Sequence, residues 1–166
     1  MNPKRSIKYF YVKFMRLKGD PQSLAIGTAI GVFLGILPIM PFQTILVVLV
    51  TVATRSSTIA AILSSFLAAN PLTYVPQYYF STTIGNALTP YDLTWSRIKE
   101  AMDLMLQDPG FYKSLMIIVE LGYEAVIVLL VGGAVLAFPF AVASYFLSLP
   151  LFIKLRKRRE QKHLLN

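Results

Sequence analysis

Between Asp20 and Asp92 the chain carries a single charged residue, Arg55. A helix that meets water needs a polar face, so some seventy residues with one charge are not built for water. Composition agrees: 14% of residues are charged, against roughly 25% in soluble domains, and 55% are hydrophobic. The expected fold class is all-α, a polytopic integral membrane protein. Basic residues 1–18 followed by apolar residues 23–37 have the outline of a signal peptide. Pro38 and Pro41 stand where a small-residue cleavage site belongs, so the segment is read as retained.

Charge collects at the two ends. Lys4, Arg5, Lys8, Lys13, Arg16 and Lys18 precede the first apolar run, and Lys154, Arg156, Lys157, Arg158, Arg159 and Lys162 follow the last. Cations flanking membrane segments stay on the cytoplasmic side. Both termini are therefore expected inside a cytoplasmic membrane, with an even number of crossings. Anionic lipid head groups are the expected partner of these ends, and nucleic acid is not.

The chain divides into five stretches of one membrane domain. Residues 1–19 read as a basic interfacial helix, cations toward head groups and aromatic residues toward lipid. Residues 20–89 read as two hairpins of short or broken helices: 21–37, 41–54, 57–69 and 78–88, with tips at 38–41 and 70–76. A 14-residue helix spans only ~21 Å and cannot cross a ~30 Å core alone. The competing reading of residues 42–69 is one helix of about 28 residues, free of Gly and Pro, with Arg55 near its middle. Residues 90–113 read as an amphipathic helix at the cytoplasmic interface, with Trp95, Ile98, Met102, Met105 and Leu106 on one side. Residues 114–153 are long enough for a pair of transmembrane helices turning near 132–139, and 154–166 form a basic cytoplasmic tail.

The tips carry the polar residues of the apolar region. Unpaired backbone is tolerated in lipid only when buried in protein or lining a wet cavity, so the two tips are expected to share a hydrated pocket. Pro41 suits the first turn of a helix, followed by Gln43 and Thr44; Asn70 and Pro71 make a similar start, followed by Thr73 and Gln77. Helix N-termini offer free N–H donors and partial positive charge, which suits an anion. Arg55 adds a full charge from the cytoplasmic rim. The bland alternative is that these residues only satisfy freed backbone groups.

Glu120 and Glu124 stand four apart, which on one continuous helix shares a face; intramembrane carboxylates serve proton coupling or pair with a cation such as Lys113 or Arg97. Gly27, Gly31 and Gly35 form a stripe that lets another helix backbone come close, and a homo-oligomer, a dimer enclosing a pathway, is expected with this stripe as its contact. There is no cysteine, and the lone His163 lies in a charged tail. With no nucleophile–histidine pair, no metal-ligand spacing and no Gly-rich phosphate loop, neither enzyme activity nor a cofactor or metal is expected.

The stretches "PQSLAIGTAIGVFLGILPIMPFQT" and "NPLTYVPQYYFSTTIGNAL", with Arg55 between them, resemble the bacterial membrane family called domain of unknown function 2062 over residues 21–88. Where that family often has Asn two residues after the Arg, Ser57 stands here. Some members are joined to glycosyltransferase domains, so the resemblance implies an envelope-lipid or polysaccharide setting. The leading functional expectation is a transporter-like protein for an anionic or lipid-phosphate substrate. The rivals are a scaffold recruiting a cytoplasmic envelope-biosynthesis enzyme, and an ion channel.

Overall fold

The computed structural model describes residues 17, 19–39, 42–107 and 110–164. The basic interfacial helix expected before residue 19 lies almost wholly outside them, and so does Pro41. Among the described residues there are six helices and no strand: α1 Pro21–Ile36, α2 Gln43–Ala53, α3 Thr58–Ala68, α4 Pro71–Leu88, α5 Trp95–Gln107 and α6 Phe111–Leu164.

Local chemistry sets the first boundaries. Asp20 caps α1, its Oδ2 accepting the Ser23 N–H at 3.0 Å, with Pro21 opening the helix. The α2–α3 break falls at residues 54–57, so residues 42–69 are two helices and not one. Arg55 makes the turn with φ of 51°, and Ser57 caps α3 by accepting the Ala60 N–H. The corner takes Arg55 out of both helices and leaves it exposed.

The glycine stripe packs α1 against α3 of the same chain. The helices run parallel: a Cβ on Gly27 would strike the Ser57 carbonyl, one on Gly31 the Ala61 carbonyl and Ser64 Oγ, and one on Gly35 would come within 2.9 Å of the Ser65 carbonyl. Ser64 Oγ also lies 3.1 Å from the Thr28 carbonyl on α1, a polar contact across the same seam. The stripe is thus covered within the chain and is not a surface for a second copy. α2 folds back beside this pair, and its Ile45, Val48, Leu49 and Val52 stay exposed at helical spacing.

Residues 114–153 do not form a helix pair. One helix, Leu121–Arg158, runs unbroken through Gly132, Gly133, Pro139 and Pro150. The expected turn is missing because both glycines serve close approach. A Cβ on Gly132 would meet the Ser81 carbonyl and lie 2.6 Å from the Gly85 nitrogen, and one on Gly133 would lie 2.6 Å from Pro38 Cδ. Each proline removes a single backbone bond, which an apolar helix packed against neighbours tolerates. Among the described residues this is the one helix long and apolar enough to cross a membrane. Thr58–Ala68 and Thr73–Leu88 together meet the same length and composition, but bend by 87° at their junction.

α6 is the spine. Leu24 of α1 packs with Phe152, and Pro38 meets Gly133, so α1 runs antiparallel to the C-terminal half of α6. Gly85 meets Val128 and Ser81 meets Gly132, so α4 runs antiparallel to its N-terminal half. α5 caps that same end, with Ile98 packed among Leu93, Ala125, Val128 and Leu129.

Candidate functional site

The first break is built almost wholly from apolar residues. The Leu37 N–H bonds the Phe33 carbonyl (3.2 Å), Ile39 N–H the Leu37 carbonyl and Phe42 N–H the Ile39 carbonyl (2.9 Å each). α2 then starts at Gln43 without a side-chain cap from Phe42. Gln43 is half-buried and Thr44 exposed in its first turn.

The second break differs from the expected tip at 70–76. α4 begins at Pro71 and includes Pro76, so the break shrinks to Ala69 and Asn70. Pro71 pre-sets the helical φ, while the Asn70 carbonyl accepts the N–H of Thr73 (2.8 Å) and Tyr74 (3.2 Å). Thr73 Oγ1 lies 2.7 Å from the Ala68 carbonyl and accepts the Asn70 N–H, and Gln77 Nε2 donates to the same Ala68 carbonyl at 2.9 Å. Two expected ligand donors therefore converge on the carbonyl that the end of α3 leaves free.

Arg55 stands apart from both breaks. The Ser57 N–H bonds the Ser23 carbonyl at 3.1 Å, which fixes the Arg55 corner beside the start of α1. Asp20 and Arg156 approach to 3.9 Å at that same end. Because α1 and α3 run parallel, their breaks lie together at the far end from this rim.

The two glutamates do not share one helix face. Gly122, with φ of 84° and ψ of 160°, breaks α6 between them and ends the four-residue geometry. Glu124 is exposed, and the Glu120 side chain lies outside the described residues.

What the fold does assemble is an apolar cavity of about 370 Å³ beneath the first break. Pro38, Ile39 and Phe42 form one wall, Tyr78 of α4 and Ile98 of α5 a second, and Ala125 and Leu129 of α6 a third. None of Gln43, Thr44, Arg55, Asn70, Thr73 and Gln77 lines it. Its chemistry is that of a hydrocarbon chain and not of a hydrated ion. Residue patterning did not point to it, because its walls come from four separate helices.

Three further residues shape this region. Ser81 is fully buried, faces Gly133 beside Pro38, and its Oγ has no hydrogen-bond partner among the described residues. Trp95 packs edge-on to Tyr79, holding the start of α5 against α4. Asn86 clamps the entry to α5: its Oδ1 accepts the Leu93 N–H (3.0 Å), and its Nδ2 donates to the Leu93 carbonyl (3.0 Å) and Asp92 Oδ1 (3.2 Å). A lone amide in the apolar stretch "IGNAL" was the available signal for it. Asn86→Leu is expected to raise hydrogen exchange at the Leu93 amide about tenfold or more, since local opening follows the loss of such bonds; an unchanged rate would mean the loop is held otherwise.

No curated protein and no solved structure matches this chain. A family model described as "uncharacterized protein conserved in bacteria" matches residues 4–161, well beyond the 21–88 that carry the resemblance. The chain belongs to that family, domain of unknown function 2062.

Proposed function

We propose that this is a transporter-like protein of the bacterial cytoplasmic membrane that handles a lipid-phosphate, the hydrocarbon chain of the substrate lying in the cavity beneath the first break. The cavity is the observation that carries the reading. It is walled by apolar side chains, with Tyr78 the one hydroxyl among the described residues that line it. In a bilayer there is no hydrophobic gain in moving a chain from lipid to protein, so packing decides. Left empty, the apolar walls lack contact partners on their open side. A lipid chain supplies the missing contacts.

The membrane arrangement supports the same reading. α2 and α3, 11 residues each, are ~17 Å long, close to half of a ~30 Å hydrocarbon core. With the Arg55 and Lys154 end at the cytoplasmic surface, α1 and α2 dip in and return, α3 and α4 cross as one broken span, and α6 crosses back. That gives two crossings and leaves both basic ends inside, as the charge rule requires. α5 then lies at the outer face and not at the cytoplasmic one, because it caps the opposite end of α6 from the basic tail. Exposed Leu49, Val52, Phe138 and Leu147 face lipid.

Lipids retained on the purified protein, identified by mass spectrometry, test the reading. Ala125→Phe fills the cavity from α6 and is expected to lower the retained lipid-phosphate about tenfold, since the added ring takes up the space the chain would fill. Ile45→Trp fills it from a half-open position and guards against misfolding of the first variant. Full lipid retention by both variants, or no lipid-phosphate on the wild type, would end the proposal. Loss of cellular function on truncating 154–166 while the cavity variants stay active would favour the scaffold reading.

A further inference from the structure

The chain takes up most of its own buried hydroxyls. Among the described residues, Thr28, Thr51, Ser64 and Thr82 each reach a backbone carbonyl four residues back, and Ser65 and Ser148 one three residues back. A serine or threonine can do this because its oxygen lies close to its own helix. The phenol oxygen of a tyrosine stands too far out, and in an apolar interior it takes a partner from elsewhere. Tyr78 is half-buried on α4, and its hydroxyl makes no hydrogen bond with a described residue.

The surroundings of Tyr78 limit what that partner is. Its ring packs against a cluster that includes Ile98, Ala125 and Leu129, and these three line the cavity with it. No other described side chain on the cavity wall carries a polar atom. A bilayer core supplies no water in place of a protein partner. A ligand made of hydrocarbon alone would be served as well by phenylalanine.

We infer that Tyr78 is a specificity-determining residue: its hydroxyl donates to the ester carbonyl of an acyl chain in the cavity, so the substrate class is an acyl-ester lipid phosphate and not a polyprenyl phosphate. The inference rests on the chain-binding reading of the cavity and adds which kind of chain it takes. An acyl ester carries a carbonyl acceptor at the head of its chain, where the hydrocarbon ends. A polyprenyl phosphate has no acceptor between hydrocarbon and phosphate, and an alkyl ether offers only a weaker one. The hydroxyl is therefore paired by the ester and left bare by the isoprenoid. A site that hydrogen-bonds its ligand discriminates against the analogue that lacks the partner, because its own polar group is then unpaired.

Three phosphate-monoester lipids, offered as probes to the purified protein in detergent, test it: a diacyl ester, the matching dialkyl ether and a polyprenyl phosphate. Wild-type protein is expected to retain the ester about tenfold better than either of the others. Tyr78→Phe keeps the ring and its packing, and is expected to bring the ester down to the level of the other two while leaving those unchanged. An isotope-labelled ester carbonyl gives a direct readout. Its infrared stretch is expected at lower frequency on the wild type than on Tyr78→Phe, a shift that loss of packing alone would not produce. Ser81→Ala, nearly one turn along α4 but off the cavity wall, is expected to retain all three probes as the wild type does. Retention of the ether or the polyprenyl probe as well as the ester by the wild type overturns the ester assignment and leaves the cavity reading standing. So does an ester preference or carbonyl shift that survives in Tyr78→Phe. Equal loss of all three probes in Tyr78→Phe would place the hydroxyl at the phosphate or in the packing, and overturns the assignment too. A wild type that retains none of the three overturns both readings.

Discussion

Gly31→Ala is expected to destabilise the protein by about 3 kcal/mol, among the largest effects of any single methyl group added to this chain. The added carbon would strike the Ala61 carbonyl and Ser64 Oγ, and lie 2.7 Å from the Ala61 carbonyl carbon. Two of the three atoms are backbone, so no rotamer change relieves the clash. α1 and α3 must separate, which also stretches the 3.1 Å bond from Ser64 Oγ to the Thr28 carbonyl. Against this, alanine in place of glycine favours a helix by only about 1 kcal/mol. Packing therefore wins. Gly122→Ala is the contrast, for a Cβ there meets nothing within 4 Å. Its penalty comes from backbone alone, a φ of 84° that alanine resists at about 1–3 kcal/mol. Unfolding of both variants in mild detergent checks the pair. If Gly31→Ala unfolds with the wild type, the two helices are not packed at backbone distance.

Removing both donors at the second break is the other large effect. The Ala68 carbonyl receives Thr73 Oγ1 at 2.7 Å and Gln77 Nε2 at 2.9 Å. Gln77→Leu alone leaves one donor in place and is expected to cost about 1 kcal/mol or less; Thr73→Val leaves Gln77 Nε2 in place but also strips the acceptor of the Asn70 N–H, and is expected to cost about 1 kcal/mol. Together they leave the half-buried Ala68 carbonyl without either donor, and the expected cost rises to about 3 kcal/mol. The excess of the pair over the sum of the singles is thus about 1 kcal/mol or more, readable from a double-mutant unfolding cycle. Simple additivity would show that water reaches the carbonyl, and so that the break is wet. The cycle separates the two readings of these residues. A ligand role moves lipid retention without moving stability, whereas the capping role moves stability first.

Legibility followed the range over which each residue acts. The Asp20 cap, the Arg55 corner and the short helices on either side of it could be read from the chain, because capping, charge and helix length act within a few residues. The same kind of reading failed at Gly132 and Pro139. A glycine pair and a proline look alike whether the chain turns or a neighbour presses close, and the neighbours, Ser81 and Pro38, lie far away in sequence. It failed again at Glu120 and Glu124, whose spacing has meaning only on an unbroken helix, which Gly122 interrupts. Thr73 and Gln77 read from the chain alone as donors for a ligand or for freed backbone, and the fold sets both beside the Ala68 carbonyl of α3.

The near-absence of charge from Asp20 to Asp92 is written in the composition, and Pro38, the Asn70-Pro71 pair and Arg55 mark where the apolar run is broken into pieces. Those are properties of composition and of local backbone, and no other part of the chain can alter them. Which pieces lie side by side was decided only by packing in three dimensions. The parallel pairing of α1 with α3, the single long α6 and the cavity under Pro38 each depend on glycine faces and apolar side chains meeting across dozens of residues. A sequence records that a residue has no side chain to offer, but only the fold shows whose backbone fills the space.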